Sequence, residues 1–256
     1  MDGNQSTAFK LACHAGVLTL ENGGETFRAE ETVRFICSSA GIDADVLALP
    51  TGIIVSAEIN GEPQSSSVKR IKKRSIDLNK LNEINKISRR FVSGELDEEG
   101  ALTALDELNN MKPINKFFLV LFTGISSLFF ALLFEGSLFD SVIAFLASSA
   151  VQTILIYFKR TYIYNFTSNL VVGFVVAMFA ACSVAIFSMG NIESIIVGGI
   201  LPYLPGLAMT NAIRDTMMGD LVSGISRLGE VLLSAVSLAM GAGIVFAVYI
   251  YLGGVV

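Results

Sequence analysis

The polar side chains with the clearest chemical potential lie close together in an otherwise apolar part of the chain. They are Asn211, Arg214, Asp215, Asp220 and Arg227. Asn211 and Asp215 are one helical turn apart, and Arg227 follows Asp220 by seven residues on the same face. Ionisable residues within a membrane tend to face a bundle interior or a water cavity, where they mark a transport path or a proton relay. The alternative is a loop at the inner membrane surface whose charges are solvated.

A helix break precedes these residues. Pro202, Pro205 and Gly206 interrupt an apolar stretch that starts near Glu193. At 1.5 Å per residue, Pro202 lies roughly 14 Å and Gly206 roughly 20 Å into the bilayer, close to its midplane. Proline removes a backbone donor, so carbonyls such as that of Leu201 need other partners, and the second half-helix can direct its free N–H groups at a carboxylate substrate. A simple proline kink is the other interpretation.

The elements that must position these residues are apolar helices. Apolar residues make up 52% of the 256 residues, and residues 1–116 hold 14 of the 18 Lys and Arg and 17 of the 23 Asp and Glu. A membrane span needs about 20 apolar residues. We therefore expect a helical transmembrane domain over residues 116–256, with five spans at 117–134, 141–158, 166–189, 192–213 (broken at Pro202–Gly206) and 231–252.

The few cations of the apolar block indicate the orientation. Lys159 and Arg160 join spans two and three, and Arg214 and Arg227 bracket the joint between spans four and five. The other two joints carry acidic residues such as Glu135 and no Lys or Arg. Cation-bearing joints face the cytosol, so we expect a cytosolic N-terminus and an external C-terminus in a multi-pass protein of the cell (plasma) membrane.

Residues 1–115 are predicted to form a small cytosolic α+β domain. Helical spacing occurs over 9–20, 29–40, 78–91 and 98–108, and Ile53, Val55 and Ala57 alternate with more polar or outward positions as in a strand. Asn60–Gly61 is a favoured hairpin turn, and a polar return strand should follow it. Glu25, Arg28 and Glu30 could form a regulatory or substrate-sensing cluster, but we favour a surface ion-pair group at a helix start.

Several classes of function are disfavoured. The net charge of −5 offers no basic surface for nucleic acid. The three cysteines, Cys13, Cys37 and Cys182, lack CxxC spacing, so we expect buried reduced thiols, with no disulfide, metal site or cofactor. The N-terminus has no basic and apolar regions of a cleaved signal peptide.

Two stretches carry a resemblance to a known family. Residues 204–215, LPGLAMTNAIRD, with 219–227, GDLVSGISR, and the early stretch 23–30, GGETFRAE, resemble the N-terminal five-span component of the threonine/serine exporter family, including its two-component succinate-export branch. The resemblance covers nearly the whole chain. It implies a proton-driven exporter of small polar metabolites that works with a second, shorter membrane domain; because this chain ends after span five, we expect a separate, smaller multi-span partner subunit.

We therefore predict a non-enzymatic subunit of an oligomeric secondary exporter, embedded in the lipid bilayer, that moves threonine/serine-type amino acids or a dicarboxylate such as succinate. Pro205 and Gly206 are predicted to lie near the substrate, and Asn211, Asp215, Asp220 and Arg227 to line its cytosolic entrance. The residues predicted to bind substrate are Pro205, Gly206, Asn211, Arg214 and Arg227. Asp215 or Asp220 is predicted to couple protons, since a carboxylate in a partly dry cavity can have a raised pKa. Two alternatives stay open. An intramembrane aspartyl hydrolase would use two aspartates as an acid dyad, and a membrane-anchored sensor would act through its cytosolic domain.

Overall fold

The computed structural model describes residues 3–59, 62–72, 74–109, 111, 114–158 and 165–252. The predicted turn at Asn60–Gly61 and the cations Lys159 and Arg160 lie outside the described residues. The contacts divide the chain into two compact units, Met1–Lys112 with Gly206–Gly229, and Pro113–Pro205 with Glu230–Val256. The first unit therefore contains a segment that follows most of the apolar helices in sequence.

The first unit combines helices with a three-stranded sheet. Its elements are α1 Gly3–Glu21, α2 Thr26–Ser39, β1 Asp43–Leu49, β2 Gly52–Ile59, β3 Glu62–Arg70, α3 Leu78–Val92 and α4 Glu98–Asn109, and later α9 Gly206–Met217 and the start of α10 Leu221–Tyr251. The sheet is antiparallel in the order β1-β2-β3. The α+β composition predicted from the sequence is confirmed.

Alternate residues of β2 form one side of the core of this unit. Ile53, Val55 and Ala57 are buried on β2, while Ile54 is exposed, because successive strand residues point to opposite faces. The buried face packs against the apolar side of α1 and α2, whose residues include Leu11, Leu18, Val33 and Ile36. These elements hold the α1–α2 connection in a fixed place.

Two of the three cysteines belong to this core. Cys13 and Cys37 are buried, whereas Cys182, on a helix of the second unit, is exposed. The expectation of three buried thiols is therefore wrong for Cys182, because its helix leaves that face uncovered. Burial raises the pKa of the Cys37 thiol to about 12, and the charge on Cys13 contributes.

The second unit is built from apolar helices. They are α5 Lys116–Leu133, α6 Leu138–Phe158, α7 Asn165–Phe187, α8 Ile192–Ile200 and the larger part of α10. Among the described residues, four helices are long and apolar enough to cross a membrane, and the count becomes five if α8 and α9 form one broken span. Both counts agree with the predicted membrane protein of about five spans.

The predicted break is present. The helix pair Ile192–Tyr203 and Gly206–Met217 is bent by 60°. A 3-10 turn at Leu201–Tyr203 separates α8 from the break, and the Leu204 N–H donates to the Leu201 carbonyl over 3.2 Å. The Leu201 carbonyl thus finds its partner within this tight turn.

Side chains of α6 supply hydrogen bonds just before the break. The Ser148 hydroxyl donates to the Gly199 carbonyl over 3.0 Å, and the Tyr203 hydroxyl donates to the Ser148 carbonyl over 2.9 Å. Ser127 on α5 donates to the Ser148 hydroxyl over 2.6 Å. In an apolar surrounding, such bonds satisfy backbone groups that a regular helix would otherwise pair internally.

Candidate functional site

The site begins with the turn that joins α1 to α2. Gly23 has φ +88°, a left-handed conformation that side chains rarely adopt. Gly24 donates its N–H to the Thr19 carbonyl over 2.9 Å, and a Cβ added there would lie 2.6 Å from the Thr19 methyl carbon. Two successive glycines therefore let the chain turn tightly, and the carbonyls of both accept hydrogen bonds from side chains far along the sequence.

Asn211 and Arg227 bind these two carbonyls. The Asn211 side-chain amide donates to the Gly23 carbonyl over 2.8 Å, and Nη2 of Arg227 donates to the Gly24 carbonyl over 2.9 Å. Both side chains are buried within the first unit. Residues separated by nearly two hundred positions thus recognise adjacent backbone groups.

Asp215 completes the arrangement by binding both the turn and Arg227. One of its oxygens accepts from the Thr26 N–H over 3.2 Å, and the other lies 3.0 Å from Nε of Arg227. Asp215 is 0% exposed and Arg227 is 7% exposed. Because a buried carboxylate is costly without a partner, the guanidinium and the free N–H at the start of α2 are what make its burial possible.

Asp220 approaches the same threonine from the other side. The Thr26 hydroxyl donates to a carboxylate oxygen of Asp220 over 3.2 Å. Gly219, with φ +96°, forms the turn between α9 and α10, and the Asp220 N–H donates to the Asp215 carbonyl over 2.9 Å. The two aspartates are therefore positioned by one short turn, but only Asp215 is fully buried.

Helices α9 and α10 pack closely beside this turn. A Cβ added at Gly224 would lie 3.0 Å from the Ala212 carbonyl oxygen and would also overlap the Thr216 hydroxyl. A larger residue at 224 would separate the helices that carry Asp215 and Arg227. The glycine thus permits the ion pair to form.

Glu25 adds a second ion pair at the edge of the site. Its carboxylate pairs with Arg214 of α9 and lies 3.8 Å from Nη1 of Arg28. Glu25 is 6% exposed, whereas the side chains of both arginines are largely exposed. The interpretation of Glu25 as part of a surface group is therefore wrong, because Glu25 is buried. Its partner Arg214 lies 189 residues later in the chain, so the local sequence gave no sign of this burial. We call this whole set, Gly23–Thr26 with Asn211, Arg214, Asp215, Asp220 and Arg227, the polar cluster.

Pro205 and Gly206 lie outside the polar cluster. Pro205 is half-buried before the start of α9, and a Cβ added at the exposed Gly206 would meet nothing within 4 Å. Nine residues of helix separate Gly206 from Asp215, which is roughly 14 Å at 1.5 Å per residue. The structure thus brings five of the seven predicted site residues together and leaves the break at a distance.

Sequence reasoning missed the contribution of Gly23, Gly24 and Thr26. The two glycines look like an ordinary helix stop, and Thr26 has no distinctive neighbour in sequence. The signal that could have revealed them was the resemblance to a known family, which rests on the stretch 23–30 as well as on residues 204–227. The structure explains why the two stretches belong together, since one binds the other.

The arrangement of the two aspartates differs from that of an acid dyad. In a dyad, two carboxylates share a proton directly. Here Thr26 lies between the two aspartates, donating its N–H to Asp215 and its hydroxyl to Asp220, and Arg227 pairs with Asp215. Neutralising Asp215 would remove most of its attraction to Arg227 and would weaken the contact between α9, α10 and the Gly23–Thr26 turn.

Comparison with known proteins gives a consistent result. The model of a family described as putative threonine/serine exporter matches residues 10–249. A threonine/serine exporter of Corynebacterium glutamicum is 24% identical over 243 residues, covering 91% of this chain and 50% of that protein. The probable succinate transporter subunit YjjP of Escherichia coli (strain K12) is 21% identical over 248 residues, covering 96% of each chain.

The relatives differ in length. A probable threonine/serine exporter of Mycobacterium tuberculosis is 25% identical over 207 residues, which cover 80% of this chain and 38% of that protein. The chain therefore spans half or less of the length of the two exporters and nearly the full length of the transporter subunit. No solved structure gives a significant match.

Proposed function

Because the chain belongs to the threonine/serine exporter family, we propose that it is one component of a proton-driven secondary exporter of small polar metabolites. The family and the apolar helices make it a multi-pass membrane protein of an exporter family. The coupling ion, the substrate and the partner are parts of the proposal.

The buried ion pair between Asp215 and Arg227 is the observation that carries the proposal. It joins α9, the helix that follows the break, to the start of α10 and to the Gly23–Thr26 turn. Buried ion pairs contribute little net stability compared with apolar packing, so we assign this pair a role in switching rather than in stability alone. Asp215 is therefore our first candidate for the proton-coupling group, and Asp220, which shares Thr26 with it, is the second.

The proposed step is a change in the protonation of Asp215. When the carboxylate is ionised, it holds Arg227 and the Thr26 N–H, and the polar cluster stays closed. When it takes up a proton, Arg227 keeps its bond to the Gly24 carbonyl but loses its counter-ion, so the closed arrangement is weakened. Arg227 could then turn to a substrate that arrives from the cytosol, with Asn211 and Arg214 beside it, on the way to the break at Pro205 and Gly206.

We also propose a membrane topology for the chain. Residues 1–115 form the cytosolic domain, residues 116–256 form the membrane domain, and the C-terminus is external. Arg214 and Arg227 of the polar cluster bracket a joint that the distribution of cations assigns to the cytosolic side, so we propose that the polar cluster lies near the inner surface. This position suits an entrance for metabolites that leave the cytosol.

The partner is a separate, smaller multi-span subunit. The Escherichia coli relative, which this chain matches along almost its whole length, is named a transporter subunit. The exporters that this chain matches over half of their length or less contain further sequence that a second subunit could supply. The proposed substrates are threonine/serine-type amino acids or a dicarboxylate such as succinate, because relatives of both names match the chain.

Metabolite efflux tests the proposal. Cells expressing the chain with a candidate smaller multi-span partner should export preloaded L-threonine, L-serine or succinate faster than cells expressing either protein alone. A protonophore should abolish the gain. Efflux that needs neither the partner nor the proton gradient would contradict the proposed mechanism, and absence of any gain for all three metabolites would contradict the substrate class.

An Asp220→Asn variant provides a matched comparison for Asp215→Asn. Both changes preserve side-chain shape, but it is Asp215 whose carboxylate lies 3.0 Å from Nε of Arg227. Because Asp215→Asn also removes a buried ion pair, efflux is compared at equal amounts of folded, membrane-inserted protein. If Asp215 is the coupling group, Asp215→Asn should then lose proton-dependent efflux and Asp220→Asn should keep most of it. The reverse result would transfer the role to Asp220.

A further inference from the structure

A second polar site lies between α2 and α3, away from the ion pair of Asp215. It is a cavity of about 300 Å³, within the size range of small-ligand sites. Arg28, Glu31, Thr32 and Phe35 line it from α2, and Asn85, Ser88 and Arg89 line it from α3. The two helices thus place both signs of charge and several neutral polar groups around one space.

The two arginines form the donor side of the cavity. A guanidinium presents several N–H groups in a plane and binds a carboxylate through paired hydrogen bonds. The Arg28 side chain is 45% exposed and lies 3.8 Å from Glu25, an arrangement in which an ion pair contributes little. Little interaction energy is therefore lost if Arg28 leaves Glu25 to bind a ligand carboxylate.

Glu31, Thr32 and Ser88 supply oxygen acceptors to the same lining. The Thr32 hydroxyl donates to the Arg28 carbonyl over 2.8 Å, and the Ser88 hydroxyl donates to the Asn85 carbonyl over 3.0 Å. With these bonds in place, the lone pairs of both oxygens remain available to accept from a ligand. Glu31 adds a carboxylate to the same lining. These groups suit a ligand that also carries an ammonium.

We propose that this cavity binds a small zwitterionic α-amino acid, with its carboxylate at Arg28 and Arg89 and its ammonium at Glu31, Thr32 and Ser88. A dicarboxylate fits less well, since its second carboxylate would meet Glu31 and would have no hydrogen to offer the two hydroxyl oxygens. A simple amine fits less well, since it leaves the two guanidinium groups without an anion. The exposed ring of Phe35 forms an apolar wall for a short side chain.

This site is regulatory in character because Arg28 is shared. The same guanidinium faces Glu25, which pairs with Arg214 in the polar cluster. A bound amino acid draws Arg28 toward the cavity and leaves Glu25 to Arg214 alone. Binding here does not require that the chain export anything, so the proposal stands or falls separately from the proposed function.

A local fluorophore tests the proposal in the full-length protein. The chain contains no Trp, so Phe35→Trp introduces a single reporter at the cavity wall. Purified in detergent, this variant should change its Trp emission saturably when L-serine is added. Succinate and ethanolamine, which lack the ammonium and the carboxylate respectively, should each need at least about tenfold higher concentration, as expected for loss of a charge-assisted hydrogen bond.

Arg89→Gln in the Phe35→Trp background removes one guanidinium from the cavity and should weaken the L-serine response by about tenfold or more. Lys86→Gln, on the same helix but outside the lining, should leave the response unchanged. No response to L-serine, or a response that Arg89→Gln does not alter, would overturn the proposal. Succinate acting at the same concentration as L-serine would overturn the amino-acid class.

Hydrogen exchange in the unmodified protein covers the case in which Phe35→Trp fails to fold. L-serine should slow amide exchange in peptides from 26–39 and 78–92, and succinate should not at the same concentration. Absence of this protection would contradict the proposal. Efflux measurements do not enter either readout, so failure of export and failure of this binding site are distinguishable.

Discussion

In the Asp215→Asn variant, the first unit should open far more often than in the Asp220→Asn variant, although the sequence alone gives no reason to expect different effects from the two aspartates. Asp215→Asn keeps an oxygen that can accept from the Thr26 N–H, but it removes the counter-ion of Arg227. The guanidinium, 7% exposed, would keep its bond to the Gly24 carbonyl but lose the carboxylate that lies 3.0 Å from its Nε. The perturbation is therefore loss of charge at nearly constant shape.

The expected magnitude follows from burial. Removing one member of a buried ion pair costs roughly 3–5 kcal/mol. Asp220 is half-buried, and an amide oxygen can replace its bond from the Thr26 hydroxyl, so Asp220→Asn should cost about 1 kcal/mol or less. A double variant, Asp215→Asn with Arg227→Gln, leaves no unpaired charge and should recover about 1–3 kcal/mol relative to the sum of the single changes.

Cys37 provides the assay. Its side chain is 0% exposed in the core of the first unit, so a thiol reagent reaches it only when the unit opens. Labelling is carried out in membranes and measured by mass spectrometry. Because only the peptide that contains Cys37 is quantified, labelling of the exposed Cys182 does not interfere. Each 1.36 kcal/mol of lost stability raises the equilibrium constant for opening about tenfold. Asp215→Asn should therefore speed labelling by about a hundredfold or more, and Asp220→Asn by less than about tenfold.

Three outcomes would refute the reasoning. Labelling of Cys37 at the wild-type rate in Asp215→Asn would mean that the pair does not hold the unit closed. Equal acceleration by Asp220→Asn would mean that charge in general, rather than this pair, matters. A double variant as unstable as the sum of both single variants would show that Asp215 and Arg227 act independently.

Three other predictions concern the turn, the break and the orientation. Gly24→Ala places a Cβ 2.6 Å from the Thr19 methyl carbon and should lower stability by about 1–3 kcal/mol, measured as faster labelling of Cys37; an unchanged rate would contradict it. Ser148→Ala removes the donor to the Gly199 carbonyl and should lower the thermal stability of the purified protein by an amount equivalent to about 0.6–1.7 kcal/mol, and no change would mean that another group replaces the hydroxyl. Reporters fused after Glu135 should be external and those after Lys159 cytosolic; the reverse pattern would invert the proposed topology.

Local patterns predicted the elements of the first unit well. The alternation of Ile53, Val55 and Ala57 gave the buried face of β2, and the spacing of apolar residues from Leu78 to Phe91 gave α3. These signals depend on residues two to four positions apart, which secondary structure brings onto one face. Boundaries moved by a few residues, as in α1, which begins at Gly3 rather than at Phe9.

Long-range partners could not be read from those patterns. Glu25 looks like a surface residue because its neighbours Arg28 and Glu30 are charged, yet its burial depends on Arg214. Periodicity describes which face of a helix is apolar and not which distant segment covers it. For the same reason, the grouping of Gly206–Gly229 with the N-terminal unit was not visible in hydropathy, which separates the chain near residue 116.

The distinction between a structural and a functional ion pair can be made with an apolar replacement. Buried ion pairs replaced by apolar residues of similar volume are often as stable as the original or more so. In the double variant Asp215→Leu with Arg227→Met, Cys37 should therefore be labelled more slowly than in Asp215→Asn. If the pair only joins α9 and α10, this variant should also export normally with its partner. If the pair responds to protons, the variant should be folded but inactive, because an apolar contact has no charge to lose. We expect the second result, and normal proton-dependent efflux by the apolar variant would exclude Asp215 as the coupling group.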